Sequence, residues 1–258
     1  MKLYAILLAA GTGARTGLSI PKQLAKIKNK EIIIHSLEIF TKSSIKFDGI
    51  IVVVPPRDIF NFDWKSFFNQ KARDIAEGDR SRLYIITGGD TRQDSANNAV
   101  KYLGNILPSS EVKDAVVFIH DSARPFVTDG ELNLLLNKTV EHGAAFLCSA
   151  TTETIKEIKG KLIPQAQIRS NPIRLKTLGR DRLISAKTPQ TFKLDIIKRA
   201  FEEAARIGLA STDDMSLVEN LGLNTVPILS TDFNIKITTA LDIEIAEFIY
   251  DKLKLEDC

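Results

Sequence analysis

A glycine-rich turn with two cations follows the first apolar segment of the chain. Residues 3–8 are apolar and predict a strand buried on both faces, so the turn begins at the carboxyl end, where open α/β sheets bind ligands. The turn contains three glycines and two basic residues: Gly11, Gly13, Gly17, Arg15 and Lys22. Glycines let backbone N–H groups approach an anion, and cations balance phosphate charge. The pattern predicts a nucleoside triphosphate site, with an ordinary tight turn as the alternative.

The spacing of these glycines differs from that of two common nucleotide-binding motifs. Position 16 is Thr, so the turn does not match the G-x-G-x-x-G of dinucleotide sites, and the chain contains no G-x-x-x-x-G-K-[ST] string. The predicted site is therefore neither a dinucleotide fingerprint nor a Walker loop.

A second glycine turn follows the predicted strand at residues 83–87. Gly88 and Gly89 would let backbone groups hydrogen-bond the edge of a base. Polar side chains that could contact a ring, a sugar or a charge follow at Asp90, Arg92 and Ser95. Because this turn and the first one both lie at strand carboxyl ends, they could face one ligand. A capped turn with surface charge is the alternative.

A carboxylate and an arginine follow another predicted strand, at residues 115–119. Asp121 could position Mg²⁺ or accept hydrogen bonds from substrate hydroxyls, and Arg124 could bind a phosphate through two hydrogen bonds. A structural Asp–Arg ion pair is the alternative. His120 is expected to be a packed histidine without a catalytic role.

Three further polar positions are candidates for substrate contact. Lys236 stands between isoleucines in a strand-like run, where a buried lysine needs an anion. Thr212 precedes two aspartates and opens a predicted helix, so it either holds a phosphate or simply caps the helix. Thr188 lies in a rigid Thr-Pro-Gln-Thr turn whose function local reasoning does not give.

The elements between these motifs alternate between strand and helix. The predicted strands are Lys2–Ala9, Gly49–Val54, Leu83–Thr87, Ala115–Ile119, Ala144–Ala150 and Asn224–Leu229. The predicted helices are Ile32–Thr41, Asp94–Leu103, Asp129–Glu141, Lys193–Arg206, Asp213–Leu221 and Ala240–Lys254. Capping residues are expected at Asp94, Asp129 and Thr212. This alternation predicts an α/β fold with a mostly parallel sheet, in one domain covering residues 1–258.

The alternation breaks at residues 151–187. A first strand at residues 152–158, a turn at 159–161 and a second strand at 162–169 predict a hairpin that projects from the main sheet and precedes a basic loop. Such a hairpin cannot bury its isoleucines and leucine alone, so a partner subunit is expected to cover it.

Composition narrows the classes of protein. The chain has 258 residues, 44% of them hydrophobic, and a formal net charge of +3 from dispersed basic residues, so a nucleic-acid partner is not favoured. Two cysteines without metal-ligand spacing indicate a reduced, cytoplasmic protein. The N-terminus lacks a secretion signal, and no apolar run is long enough for a membrane span.

Taken together, the motifs resemble the 2-C-methyl-D-erythritol 4-phosphate cytidylyltransferase family, within the glycosyltransferase-A type nucleotidyltransferases. The matching strings are Ala9-Ala10-Gly11-x-Gly13-x-Arg15-x-Gly17, Pro21-Lys22-Gln23, Gly88-Gly89-x-x-Arg92-x-Asp94-Ser95, His120-Asp121-Ser122-Ala123-Arg124-Pro125, Thr154-Ile155-Lys156, Thr188-Pro189-Gln190, Thr212-Asp213-Asp214 and Asn234-Ile235-Lys236-Ile237-Thr238. The resemblance implies a Rossmann-like fold, a homodimer joined through a projecting β-arm, and transfer of a cytidylyl group from CTP to an alditol phosphate.

The resemblance also implies roles for individual residues. Arg15, Lys22 and Lys236 would be catalytic. The residues that would hold the nucleotide are Ala9, Ala10, Gly11, Gly13, Gly89, Asp90, Ser95, Asp121 and Ser122. Those that would bind the second substrate are Asp121, Arg124, Thr188, Thr212 and Lys236, with Thr154 and Arg180 reaching in from the partner subunit. Mg²⁺ would be held mainly by the phosphates of CTP, and no protein ligand for it is assigned.

Departures from the family pattern leave an alternative substrate open. The family often has Ala at Ser122 and Asp at Glu153, and a serine after the aspartate also occurs in ribitol-5-phosphate cytidylyltransferases. The Arg92-x-Asp94-Ser95 and Thr154-Ile155-Lys156 strings favour methylerythritol phosphate. A second alternative, from a different functional class, is a protein that binds a nucleotide without turning it over. The presence of both Arg15 and Lys22 argues against this alternative.

Overall fold

A seven-stranded sheet forms the centre of the molecule. The computed structural model describes residues 1–11, 20–56, 61–75, 83–159 and 173–256. The strands of the sheet are β1 (Leu3–Leu8), β4 (Gly49–Val54), β5 (Leu83–Thr87), β6 (Val116–Asp121), β7 (Ala144–Ala150), β10 (Ile184–Lys193) and β11 (Val226–Leu229). Their order is β11-β7-β10-β6-β1-β4-β5, and only β10 runs antiparallel to its neighbours β6 and β7. The mostly parallel α/β fold is therefore confirmed.

Two short strand pairs, eight α-helices and two 3₁₀ turns, at Lys22–Leu24 and Arg180–Arg182, complete the described elements. The pairs are β2 (Lys26–Ile27) with β3 (Lys30–Glu31), and β8 (Lys156–Ile158) with β9 (Leu175–Thr177). The helices are α1 (Ile32–Thr41), α2 (Trp64–Ile75), α3 (Arg92–Ile106), α4 (Ser109–Val112), α5 (Asp129–His142), α6 (Leu194–Ile207), α7 (Met215–Asn220) and α8 (Ala240–Glu256). None of the helices, within the described residues, is long and apolar enough to cross a membrane.

Helices cover both faces of the sheet, which explains why its inner strand β1 is apolar throughout. Tyr4 and Ile6 of β1 belong to a core formed with α3, α6 and α7, whereas Ala5 and Leu7 belong to a second core formed with α1, α2 and α5. All six residues of β1 are buried. A strand buried on both faces loses the alternation of polar and apolar residues that a half-exposed strand shows. The carboxyl end of β1 is thereby fixed between two packed layers.

Strand β10 corrects the interpretation of residues 184–191. The Thr-Pro-Gln-Thr segment, predicted as a rigid turn, lies inside this strand, as do the last four residues of the predicted insertion. Pro189 cannot donate a ladder hydrogen bond, and the pairing with β7 shifts register between Ala186 and Gln190 to accommodate it. The Thr188–Pro189 bond is cis. Ile184 pairs with Ala150, so the intervening segment leaves and rejoins the sheet at neighbouring positions.

The hairpin of the arm pairs differently from the prediction. Strand β8 pairs with β9, with Ile158 opposite Leu175, so its partner lies further along the chain than predicted, and residues 160 and 161 of the predicted turn lie outside the described residues. The predicted second strand, at residues 162–169, lies outside the described residues. The run at residues 234–238 forms no strand, although its backbone is ordered by contacts such as Ile237 N–H to Ala123 O at 2.9 Å.

Three of the predicted helix caps are also wrong by one to three positions. Helix α3 is capped by Thr91, with Asp94 as the reciprocal residue of a capping box, and α5 is capped by Thr128. Helix α7 follows Asp214 rather than Thr212, and the Asp214 side chain makes no capping hydrogen bond. Helix α2 was not predicted.

Candidate active site

A cavity of about 420 Å³ lies at the carboxyl ends of β1, β5 and β6. Its walls come from four segments that are far apart in the sequence. The residues that line the cavity are Leu8, Ala10, Gly11, Lys22, Gln23, Gly89, Asp90, Thr91, Arg92, Ser95, Asp121, Ser122, Ala123, Lys236 and Thr238. The structure therefore brings both glycine turns and the Asp121 and Lys236 motifs together, as expected for the crevice of an open α/β sheet.

The second glycine turn is closely packed against the first. A Cβ added to Gly88 would lie 2.5 Å from the Cβ of Ala10 and 2.7 Å from Oγ of Ser95, so no larger residue fits. Gly89 N–H donates to Ser95 Oγ at 3.1 Å, which joins the turn to the first turn of α3. The two turns consequently form one continuous wall with exposed backbone.

Gln23 fixes the start of the first glycine turn. Its side-chain amide donates to the carbonyl oxygens of both Ala9 and Gly11, and its side chain is buried. The sequence places Gln23 in a matching motif but gives it no role; its position between Lys22 and Leu24, two residues after Pro21, carries no signal of this contact. Ala9 itself is buried behind the cavity wall.

Lys22 reaches the cavity from a short 3₁₀ turn at Lys22–Leu24. Its ammonium donates to the carbonyl oxygen of Ile237 at 2.9 Å, which ties this turn to the Lys236 segment. Both lysines therefore line the same cavity. Arg15, Gly13 and Gly17 lie outside the described residues, so their predicted roles stay predictions.

Asp121 stands between two cations at the base of the cavity. Lys236 Nζ lies 2.6 Å from Oδ2 of Asp121, and Arg92 Nε lies 3.1 Å from Oδ1. The expectation that Lys236 has an anionic partner is confirmed. The alternative of an Asp121–Arg124 ion pair is wrong: Asp121 pairs with Arg92, whereas Arg124 donates to the carbonyl oxygen of Asn234 at 3.2 Å.

The protonation states of this cluster follow from its charges. Burial acts to raise the pKa of Asp121, but Arg92 and Lys236 outweigh it and hold that pKa well below its usual range. Burial likewise acts to lower the pKa of Arg92, and Asp214 and Asp121 together raise it instead. Asp121 is therefore an anion and Arg92 a cation throughout the range in which proteins are normally studied.

Thr188 and His120 support Asp121 from behind. The Thr188 hydroxyl accepts from the backbone N–H of Asp121 at 3.0 Å and lies 3.0 Å from Nδ1 of His120, to which it can donate. Nε2 of His120 lies 2.9 Å from the carbonyl oxygen of Arg124, to which it donates in the same tautomer. Burial lowers the pKa of His120 to about 4, so the ring is neutral near pH 7. This agrees with the expectation of a packed histidine.

Several predicted site residues do not line the cavity. Thr188 is buried behind Asp121, Arg124 donates from Nη1 to the carbonyl oxygen of Asn234, and Thr212 is exposed. Thr154 and Arg180 lie in the arm, where Arg180 donates to the carbonyl oxygen of Thr152 at 3.0 Å. Their contacts with substrate stay predictions.

The donor set does not favour a metal ion held by the protein. Among the described residues no three His, Cys, Asp or Glu side chains are grouped so that they could hold one. Each carboxylate oxygen of Asp121 already faces a cation. We therefore derive no reaction step from a cation bound to Asp121.

The similarity to known proteins extends over almost the whole chain. The model of the 2-C-methyl-D-erythritol 4-phosphate cytidylyltransferase family matches residues 3–252. The chain belongs to this family. Family relatives include the enzyme of that name from Geobacillus thermodenitrificans, 35% identical over 96% of this chain and 97% of the relative, and that from Clostridioides difficile, 32% identical over 98% and 95%.

Solved structures of family members have the same fold. The 2-C-methyl-D-erythritol 4-phosphate cytidylyltransferase of Francisella tularensis superposes with a TM-score of 0.73 at 30% identity, over 96% of this chain and all of the other. The family's fold, with its Rossmann-like sheet, thus agrees with the resemblance identified from the motifs, and the chain is a nucleotidyltransferase-family protein over almost its whole length.

Proposed function

We propose that this protein transfers the cytidylyl group of CTP to 2-C-methyl-D-erythritol 4-phosphate and releases pyrophosphate. The observation that carries the proposal is one cavity in which two close-packed glycine turns face two lysines, Lys22 and Lys236. Exposed backbone suits a base and phosphates, and ammonium groups suit the charge of a phosphoryl transfer. Family membership supplies the identity of the two substrates.

The nucleotide occupies the side of the cavity formed by the glycine turns. Backbone groups of Gly11 and Gly89 bind the base and phosphates, and the side chains of Asp90 and Ser95 bind polar groups of the nucleoside. All four residues line the cavity. The Ser95 hydroxyl also accepts from Gly89 N–H, so it is oriented before the ligand arrives.

A phosphate oxygen of the acceptor attacks the α-phosphorus of CTP, and the bond from that phosphorus to the bridging oxygen of pyrophosphate breaks. Lys22, with Arg15 from the same motif, balances the negative charge that develops on the transferred group. Asp121 and Lys236 orient the acceptor through its hydroxyl and phosphate oxygens. The triphosphate would itself hold a divalent cation, which would neutralise part of the negative charge.

The arm completes the site of a second copy of the chain. Within the described arm, Leu175 and Ile155 are exposed apolar side chains on a two-stranded hairpin, which is too small to be stable alone. We propose a homodimer in which Thr154 and Arg180 of one protomer contact the acceptor bound to the other.

Pyrophosphate release with CTP and Mg²⁺ tests the proposed reaction, with methylerythritol 4-phosphate and D-ribitol 5-phosphate compared side by side. We expect turnover mainly with the first acceptor. Turnover mainly with ribitol phosphate would replace the acceptor, and CTP binding without pyrophosphate release from either would support a binding protein.

Variants of Lys22 test the role of the cavity lysine. Lys22→Ala is expected to fold and to bind CTP with modest change but to lose roughly 100-fold or more in turnover, because a charge aimed at the transition state is removed. Lys26→Ala is the matched control, since Lys26 is an exposed lysine four residues away. Near-normal turnover of both Lys22→Ala and Arg15→Ala contradicts the mechanism.

Mixed dimers test the contribution of the arm. When Lys22→Ala and Arg180→Ala proteins are mixed and allowed to exchange subunits, each mixed dimer has one site with an intact core and an intact arm. Activity should then rise to roughly a quarter of that of the unchanged protein if both sites of the symmetric dimer are independent. No recovery on mixing would mean that Arg180 does not act across the interface.

A further inference from the structure

A buried carboxylate behind the cavity, Asp214, has no role in the reaction described above. Its side chain is almost fully buried, and it makes no hydrogen bond to cap the helix it precedes. Its only ion-pair partner among the described residues is Arg92, whose Nη1 lies 2.9 Å from Oδ2 of Asp214. Burial raises the pKa of Asp214 and Arg92 opposes that rise, so this ion pair is what stabilises the charged carboxylate.

The backbone of Asp214 is fixed by the central sheet. Oε1 of Gln190, in β10, accepts from the N–H groups of Asp214 and Met215, each at 3.0 Å. Nε2 of the same Gln190 donates to Asp213 at 2.8 Å. Since β10 lies beside β6, which ends at Asp121, the start of α7 is held in register with the base of the cavity.

Four charged side chains therefore form a line from the interior to the cavity. Asp214, Arg92, Asp121 and Lys236 alternate in sign, and their contacts are 2.9, 3.1 and 2.6 Å. Arg92 uses Nη1 for one carboxylate and Nε for the other. Nη2 is buried and has no hydrogen-bond partner among the described residues. The Arg92 guanidinium thus contacts two carboxylates, and it does not make two parallel hydrogen bonds to Asp121.

We propose that Asp214 is a positioning residue that keeps Lys236 at the acceptor side of the cavity. By holding Nη1 of Arg92, Asp214 limits Arg92 to Oδ1 of Asp121 and leaves Oδ2 for the ammonium of Lys236. This inference rests on the proposed function, in which Lys236 orients the acceptor.

Removal of the Asp214 charge would change the geometry in a definite direction. The line would gain one net positive charge, and Arg92 would have one carboxylate instead of two. An arginine that faces a single carboxylate favours two parallel hydrogen bonds, which would engage both oxygens of Asp121. Lys236 would then lose its partner and its fixed position.

Kinetics of Asp214→Asn test this role. We expect kcat/KM for the acceptor to fall by roughly 10- to 100-fold, with KM for CTP changed by less than about threefold, and Asp214→Glu to recover part of the loss. Asp129→Asn is the matched control, because Asp129 is a hydrogen-bonded carboxylate at the start of α5 that contacts Ser43 and Ser44 and does not line the cavity. Unchanged acceptor kinetics in Asp214→Asn would refute the proposal.

A double-mutant cycle distinguishes positioning from general loss of structure. In the Lys236→Gln background, Asp214→Asn should cost less than about twofold, because the group that it positions is already absent. An equal loss in both backgrounds would refute the proposal. If Asp214→Asn does not fold, Arg92→Lys replaces it, since a lysine cannot span both carboxylates.

A measurement without turnover separates this inference from the proposed reaction. Brief labelling with acetic anhydride, followed by mass spectrometry, reports the reactivity of Lys236 relative to other lysines of the same sample. We expect labelling of Lys236 to rise at least about threefold in Asp214→Asn, because the ammonium is released from Asp121. Unchanged labelling contradicts the inference even if the protein is an active cytidylyltransferase, and increased labelling supports it even if the acceptor proves to be different.

Discussion

Replacement of Thr188 by valine separates a structural role from a substrate-binding role at one atom. The Thr188 hydroxyl accepts from Asp121 N–H and lies within hydrogen-bonding distance of Nδ1 of His120, and Thr188 is only 4% exposed. Valine keeps the shape but leaves both groups buried and unpaired. Each buried group left without a partner costs about 1–3 kcal/mol, so for two groups we expect a loss of roughly 2–6 kcal/mol in the free energy of unfolding.

Urea unfolding of Thr188→Val, with Thr188→Ser as the control, measures this loss. Serine keeps the hydroxyl and removes one methyl group, so Thr188→Ser should lose only about 1 kcal/mol. Because the hydroxyl faces Asp121 from behind the cavity wall, the main effect should be on the free energy of unfolding, and KM for the acceptor should change little. The reasoning would be refuted if Thr188→Val were as stable as the unchanged protein and its acceptor KM rose sharply, since the hydroxyl would then serve the substrate.

Two other perturbations follow from the structure. The pKa of His120, about 4, lies below that of a histidine in the unfolded chain, which is about 6.5. Between these two pH values the unfolded chain binds more protons than the folded protein. The free energy of unfolding therefore falls as the pH drops from about 6.5 towards 4. In urea titrations at several pH values, His120→Asn should show a shallower slope over that window; an unchanged slope would mean that His120 is not the group responsible. Gly88→Ala should weaken CTP binding about tenfold or more in calorimetry, because the added Cβ separates Ala10 from Ser95. Gly104→Ala is the control, since its Cβ meets nothing closer than 3.9 Å, and equal affinities in both variants would contradict this account of the wall.

The extent to which the sequence predicted the fold depended on whether an element's signal was local. Strand β1 and helix α1 were predicted within one or two residues, because continuous or periodic apolar residues mark them. Strand β10 was missed, since Pro189 in a strand argues against that assignment unless a register shift accommodates it. That shift depends on β7, which lies about 40 residues earlier in the chain, and no local pattern records it.

The same distinction holds for the candidate site. That Lys236 needs an anion followed from its apolar neighbours, and Asp121 followed from its place after a strand. The two ion pairs of Arg92 could not be predicted in this way, because their carboxylates, Asp121 and Asp214, lie 29 and 122 positions away in the sequence. Arg92 was read as a cation for the ligand, and its described contacts are instead with the protein.

The arm begins and ends at adjacent positions of the sheet, where Ala150 pairs with Ile184. An insertion whose two ends are already hydrogen-bonded neighbours can be shortened, lengthened or replaced by a turn without moving either flanking strand. The arm can therefore diverge at a different pace from the cavity, whose walls come from other strand ends. A chimaera that exchanges only this arm between two members of the family should therefore keep the sheet intact.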